Sequence, residues 1–326
     1  MTIDRFGRAI HYIRISLTDH CNLRCVYCMP EKMTFRPTAE MMTFDEIVTL
    51  SKLLALLGFD KFRLTGGEPT VHPAVVDIVR EIAATPGVAS ISLTTNGLLL
   101  KKLAEPLVKA GLQRVNVSLD TLDPIEYRRI TRRGHFTQVW EGIMAAEAAG
   151  LKPIKLNAVI VRNFNEKSLV DLSRLTYEHP WQVRFIEMMP FGGATSLQLN
   201  QVVKSGEMRQ TIQAALGPLE LVNHGELDGE AQMYKLPGSL GEIGFISSVS
   251  VPFCAACSRA RLTADGHLRL CLLRDNEVDL LTPLRSGANL AELRQLILDG
   301  IWAKPWGHGL AEGEFATNRI MSEIGG

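Results

Sequence analysis

The sequence predicts an α/β fold: a parallel sheet made of six β/α units, followed by a smaller α+β domain. Three observations predict it. Over residues 12–189, short β-branched runs alternate with stretches of helical periodicity, as serial β/α units do. Inside the first five runs, polar and apolar residues take opposite parities. Beyond Pro190 the helical rhythm fades, and glycine, proline and short strands dominate to about residue 270.

The runs fall at 12–18, 61–65, 90–95, 114–119, 153–161 and 183–188. In the first, Ile13, Ile15 and Leu17 oppose Arg14, Ser16 and Thr18. The split recurs as Phe62 and Leu64 against Arg63 and Thr65, Ile91 and Leu93 against Ser92 and Thr94, and Val115 and Val117 against Asn116 and Ser118. The fifth run sets Ile154, Leu156 and Ala158 against Lys155 and Asn157, whereas Arg184 and Glu187 of the sixth stand in opposite phases. Between the runs, helix starts are marked by the capping box Thr43…Glu46, by Pro73 as a first helical residue, and by Asn165-Glu166 before 167–177. Gly58, Gly111 and Gly150 close helices.

Parallel strands covered on both faces read apolar on both faces, and these do not. If the sheet curves into an incomplete (β/α)6 TIM-like barrel, helices cover the apolar parity and Arg14, Arg63 and Lys155 point inward, where buried cations need an anionic partner. A flat sheet with one solvated face is the alternative. The domain boundary is expected at 190/191, giving units 1–190 and 191–326. The end, Ile324-Gly325-Gly326, is expected outside the core and mobile unless captured.

Composition narrows the function. Of 326 residues, 46% are apolar, and 35 Lys plus Arg balance 35 Asp plus Glu. Without a global basic field, nonspecific nucleic-acid binding is not expected. Apolar stretches such as 53–57 fall far short of the roughly 20 residues of a membrane helix.

The six cysteines form two triplets, Cys21, Cys25 and Cys28, then Cys254, Cys257 and Cys271. Three thiolates on a four-iron, four-sulfur cube leave one iron open for a ligand, hence for chemistry. Zinc needs a fourth ligand at each triplet, and the nearest histidines, His20 and His267, lack the usual spacing. A disulfide framework suits small secreted domains, whereas this chain is long and shows no apolar leader. The reducing cytoplasm is the expected compartment.

The CxxxCxYC loop Cys21-Asn-Leu-Arg-Cys25-Val-Tyr27-Cys28 directly after the first strand, with Gly66-Gly67-Glu68-Pro69 after the second, resembles the radical S-adenosylmethionine (SAM) enzymes. Five further features resemble, within them, the GTP 3′,8-cyclase family of molybdenum cofactor biosynthesis. These are 12–19, Thr94-Thr-Asn-Gly97, Asn116-Val-Ser118-Leu-Asp120, Arg184-Phe-Ile-Glu187-Met-Met189, and Cys254-x-x-Cys257-x-Arg259-x-Arg261 with Cys271 and the final Gly-Gly.

That resemblance implies two [4Fe–4S] clusters, one on Cys21, Cys25 and Cys28 and one on Cys254, Cys257 and Cys271. It implies SAM contacts at Tyr27, Gly67, Ser118 and Met189, GTP contacts at Arg14, Arg63, Thr94, Lys155, Arg259 and Arg261, and a catalytic role for Arg259 and Arg261. Gly325 and Gly326 would form a tail that enters the site. The implied reaction begins with a 5′-deoxyadenosyl radical that takes hydrogen from ribose C3′ of GTP. The C3′ radical then adds to guanine C8, giving 3′,8-cyclo-7,8-dihydro-GTP. The implied partners are a reductant protein and a pyranopterin-forming enzyme, and the chain is expected as a monomer or homodimer. No Walker A pattern is present, so separate cations must hold the triphosphate.

One stretch departs from the family. Thr70-Val71-His72-Pro73 stands where a leucine and paired arginines are usual, and His72 reads as a surface residue. Competing readings are a peptide-modifying radical SAM enzyme, which usually has more C-terminal cysteines, and an electron-transfer iron–sulfur protein, which normally saturates every iron with cysteine. A zinc-supported binding module is the third.

Overall fold

A computed structural model describes residues 2–189, 199–222, 227–228, 230–310, 316 and 318–325. A small hairpin, β1 (Thr2–Ile3) with β2 (Ala9–Ile10), precedes the main sheet. Six strands follow: β3 (Tyr12–Ser16), β4 (Lys61–Thr65), β5 (Ser90–Thr95), β6 (Arg114–Ser118), β7 (Lys155–Ile160) and β8 (Gln182–Glu187). Between them run α1 (Phe44–Leu56), α2 (Val75–Ala83), α3 (Leu100–Lys109), α4 (Pro124–Thr131), α5 (Phe136–Ala148) and α6 (Ser168–Glu178).

The six strands lie side by side in chain order and all parallel. Right-handed crossovers that always step the same way put every helix on one face, so the sheet curls with its helices outside. The apolar parity accordingly joins the main core: Ile13, Ile15, Phe62, Leu64, Ile91, Leu93, Val115, Val117, Leu156 and Ala158 are all buried. The barrel is incomplete, because β3 and β8 do not pair with each other. The polar parity is enclosed all the same, with Asn116 1% and Arg184 2% exposed, which removes the solvated-face alternative.

The remaining elements are α7 (Ser205–Leu216), β9 (Glu220–Leu221), β10 (Leu227–Asp228), β11 (Ala231–Lys235), β12 (Glu242–Ile246), β13 (Arg259–Leu262), β14 (His267–Arg269), β15 (Glu277–Asp279), α8 (Leu281–Arg285), α9 (Leu290–Trp302) and α10 (Met321–Ile324). They extend the same sheet rather than build a second one. β12 adds in parallel to β8, with β11, β10 and β9 beyond it. β13 adds in parallel to β3 and continues into β14 and β15. Among the described residues, no helix is long and apolar enough to cross a membrane.

Local signals hold with three corrections. The Thr43…Glu46 capping box is formed, and Gly58, Gly111 and Gly150 follow their helices with positive φ. Pro73, however, precedes α2, whose N-cap is Ala74; the proline at a first helical position is Pro69, in a short 3₁₀ turn. His72 is half-buried rather than a surface residue, and its Nδ1 accepts from the Ala74 N–H at 3.2 Å. Asn165 does not cap α6: its side chain accepts from Val161 N–H at 2.8 Å and donates to the Val159 carbonyl at 2.9 Å, fastening the loop after β7.

Candidate active site

Both cysteine triplets open onto one cavity at the C-terminal ends of the barrel strands. The first triplet sits on the loop after β3. That loop is pinned by the next strand's exit, where Gly67 N–H donates to Thr18 carbonyl at 2.6 Å and Glu68 N–H to His20 carbonyl at 2.7 Å. A Cβ on Gly67 would lie 2.4 Å from the carbonyl oxygens of Asp19 and His20, so only glycine permits this approach. Glu68 is committed locally: it accepts from Thr70 N–H (3.0 Å), Thr70 Oγ1 (2.5 Å), Thr95 Oγ1 (2.6 Å) and Asn96 N–H (2.7 Å). On the other side, Arg24 and Val26 N–H donate to Thr131 and Ile130 carbonyls, each at 3.0 Å, docking the loop on the end of α4. Tyr27 Oη donates to Asp120 Oδ2 at 2.6 Å, which fixes the ring in the cavity wall.

The second triplet is assembled from two places in the chain. Cys254 and Cys257 bracket a 3₁₀ turn before β13, and Cys271 follows β14. Arg8 Nη1 ties Cys254 carbonyl (2.8 Å) to Trp306 carbonyl (2.7 Å). Lys304 is buried and donates to the Leu270 carbonyl beside Cys271.

The two triplets differ electrostatically. Burial, with the Glu68 charge, pushes the Cys21 thiol up to about 11. Burial, with neighbouring Cys21, pushes Cys28 up to about 12, and Cys25 is raised by burial and by Cys28. At the second triplet, burial raises Cys254. Burial pushes Cys257 the same way, but Lys304 and Arg259 outweigh it and hold that thiol below its ordinary value. Three half-buried thiols that repel one another once ionised are a donor set for a cationic iron–sulfur group, so the residues fit a cluster at each place. The cavity also exposes buried polar atoms with no protein partner, both amide atoms of Asn116 and Oδ1 of Asn157, which suits a ligand bearing donors and acceptors.

The predicted cations come together. Arg14, Arg63, Arg259 and Arg261 line the cavity, as does Thr94. Arg14 and Arg63 both stack on Tyr12, 5.7 and 5.5 Å from its centroid. Burial, with no full offset, lowers Arg63 and Arg261. Tyr27, Gly67, Ser118 and Met189 line the same cavity beside the first triplet's loop and strands. Lys155 keeps the inward parity but lies at the foot of β7, buried and outside the lining.

The C-terminus, expected outside the core and mobile unless captured, is captured, and Ile324 is buried rather than outside the core. Ile324 is 1% exposed, and Gly325 adopts φ 74° with its carbonyl accepting from Arg261 Nη1 at 2.7 Å. A Cβ there would sit 2.4 Å from Thr65 Oγ1. Gly326 lies outside the described residues.

Sequence reasoning gave no site role to three residues that line the cavity. Glu230 accepts from both Arg14 and Arg259; a lone acid at a turn carries no pattern. Arg184 lines the cavity, and so does Glu187, which accepts from Ser205, Val249 and Ser250 N–H at 2.8, 2.9 and 2.8 Å. Their opposite phases are reconciled because Glu187 ends β8, where the backbone leaves the sheet.

Residues 15–176 match the family model of the Radical SAM superfamily, and residues 181–310 match that of Molybdenum Cofactor Synthesis C. The sequence is 47% identical over 324 residues, 99% of both chains, to a GTP 3′,8-cyclase of Pelotomaculum thermopropionicum. One from Moorella thermoacetica is likewise 47% identical over 99% of both chains. Streptococcus suis SuiB bound to S-adenosylmethionine superposes with a TM-score of 0.61 at 14% identity, over 93% of this chain and 68% of that one. At that identity the likeness is one of fold.

Proposed function

Because this chain belongs to the GTP 3′,8-cyclase family of radical SAM enzymes, we propose that its cavity holds SAM beside the first cysteine triplet and GTP beside the second. The enzyme is a lyase of molybdenum cofactor biosynthesis that converts GTP to 3′,8-cyclo-7,8-dihydro-GTP, with SAM and two [4Fe–4S] clusters as cofactors. When bound, these cofactors supply the electron and the 5′-deoxyadenosyl radical that starts cyclisation at ribose C3′, and an open iron for the purine.

The observation that carries the assignment of ligands is that both triplets and Arg14, Arg63, Arg259 and Arg261 share one cavity. Cys21, Cys25 and Cys28 would hold the first cluster, and Cys254, Cys257 and Cys271 the second. Tyr27, Gly67, Ser118 and Met189 shape the SAM side, where Tyr27 is held rigid by Asp120. Arginine forks meet phosphate oxygens in pairs, so Arg14, Arg63, Arg259 and Arg261, with Thr94, would orient GTP. Lys155 would add positive charge from the barrel floor. Arg259 and Arg261 lie on β13, directly after the turn that carries Cys254 and Cys257, which supports the second cluster and the cations acting side by side. The chain's own contribution to rate is orientation and exclusion of water.

Unit 1–190 would then carry the SAM side and lend Arg14, Arg63, Thr94 and Lys155 to GTP, while unit 191–326 would carry the second triplet with Arg259 and Arg261. The reaction calls for a one-electron reductant protein and a downstream pyranopterin-forming enzyme as partners. Six free thiols favour a reducing cytoplasm, where the chain would act as a monomer or homodimer without nucleic-acid or membrane contacts. Iron analysis after anaerobic reconstitution tests the ligand sets. About eight irons per chain are expected, falling to about four when either triplet is replaced by alanine; loss of all iron from one triple variant, in a folded chain, contradicts independent clusters.

A further inference from the structure

The open seam of the barrel is crossed by a carboxylate that the proposed reaction does not use. Glu230 stands at the turn between β10 and β11, in the arm that reaches the barrel through β12 and β8. Arg14 is on β3 and Arg259 on β13, at the opposite edge. Oε1 of Glu230 accepts from Arg14 Nη2 and from Arg259 Nη1, so one oxygen joins the two edges. Glu68 and Glu187 also face the cavity, but their oxygens are engaged by N–H and hydroxyl donors at the strand ends.

Burial alone would favour the neutral acid, but Arg259, Arg14, Arg63 and Arg184 outweigh it and hold Glu230 ionised, well below the usual carboxylate range. In return, the carboxylate relieves repulsion among cations packed in a low-dielectric cavity. A guanidinium that meets a carboxylate oxygen offers the same donors to a phosphate oxygen. The place held by Oε1 is thus a place where a phosphate oxygen fits, and the two anions repel.

We propose that Glu230 is a latch across the open seam that competes with the polyphosphate end of the substrate for Arg14 and Arg259. It is engaged in the free protein and released when the polyanion binds. Glu230 directly precedes β11, next to β10 at the end of the sheet, and sheet margins open locally at lower cost than sheet centres. This rests on the assignment of GTP to the arginine-lined cavity.

The test is anaerobic calorimetry on reconstituted protein, wild type beside Glu230→Gln, titrated with inorganic tripolyphosphate and with GTP. A latch withholds part of the population from binding, so its removal is expected to tighten tripolyphosphate roughly tenfold. Glu230→Asp, which keeps the charge, should stay close to wild type. If wild type binds neither ligand, the assignment of the cavity fails and the latch with it. If wild type binds both and Glu230→Gln binds tripolyphosphate no tighter, the latch alone is wrong. Weaker GTP with unchanged tripolyphosphate would make Glu230 a base contact instead and overturn the latch. Should Glu230→Gln not fold, amide exchange in wild-type residues 231–235 decides: faster exchange with saturating tripolyphosphate supports release, and unchanged or slower exchange contradicts it.

Discussion

Arg261 Nη1 donates to the Gly325 carbonyl at 2.7 Å, fastening the C-terminal end of the chain to the strand that also presents Arg259 to the cavity. The approach to this contact is secured upstream. Arg319 meets both carboxylate oxygens of Asp265 at 2.9 Å, and Ile320 N–H donates to Glu323 at 2.9 Å to start α10. The tail is therefore built into the site by an ion pair, a helical turn and a buried arginine.

Gly325→Ala tests that contact. At φ 74° alanine is strained by about 1–2 kcal/mol, and its Cβ would meet Thr65 Oγ1. Turnover is expected to fall roughly tenfold with iron content unchanged, since about 1.4 kcal/mol is a tenfold shift in the docked population. Wild-type turnover in this variant would show that docking is irrelevant to catalysis.

Glu68→Gln tests the anchor of the first loop. Glu68 accepts four donors, and an amide nitrogen placed against the Asn96 N–H or Thr70 N–H sets donor against donor. Denaturant unfolding should show a loss of about 1–3 kcal/mol. A midpoint equal to wild type would mean that the hydrogen bonds are not needed to hold the loop.

Tyr27→Phe removes the 2.6 Å hydrogen bond to Asp120 while keeping the ring. With the ring no longer fixed, SAM affinity is expected to weaken about tenfold, the equivalent of about 1.4 kcal/mol, with both clusters retained. Unchanged affinity would place SAM away from Tyr27.

His267 supplies a pH dependence. Its hydrogen bond to Asp265 raises its folded-state pKa, against the opposing effect of burial. A raised histidine stabilises the fold fully below its ordinary value of about 6.5 and loses that contribution as pH rises through the folded-state value. Thermal unfolding of wild type should therefore decline more than that of His267→Gln as pH rises from about 6 to about 8. Parallel pH profiles would contradict the coupling.

Much of the fold was legible in the chain because barrel strands expose their two faces as two parities. Arg14, Arg63 and Asn116 announce a polar interior by their alternation with apolar neighbours, and Gly66-Gly67-Glu68 marks a close backbone approach. What could not be read are relationships between distant segments. The pairing of β12 with β8 and of β13 with β3 makes one sheet of what reads locally as a barrel followed by short strands. Glu230 has no periodic neighbour to reveal it, and its partners lie 216 and 29 residues away. The tail looks flexible because Gly325 and Gly326 have no side chains to bury, whereas the capture comes from Arg261. Pro73 marks the start of α2 only nearly, since the N-cap is Ala74 and the helix begins at Val75.

Product analysis shows whether Arg259 and Arg261 hold GTP where a SAM-derived radical can reach it. Reconstituted protein is incubated anaerobically with SAM, a strong reductant and GTP, beside an Arg259→Ala, Arg261→Ala double variant. Wild type is expected to form 5′-deoxyadenosine and the cyclised nucleotide only when GTP is present, and the variant, with its iron intact, is expected to form neither. Formation of 5′-deoxyadenosine by wild type with GTP left unchanged would contradict that placement of GTP.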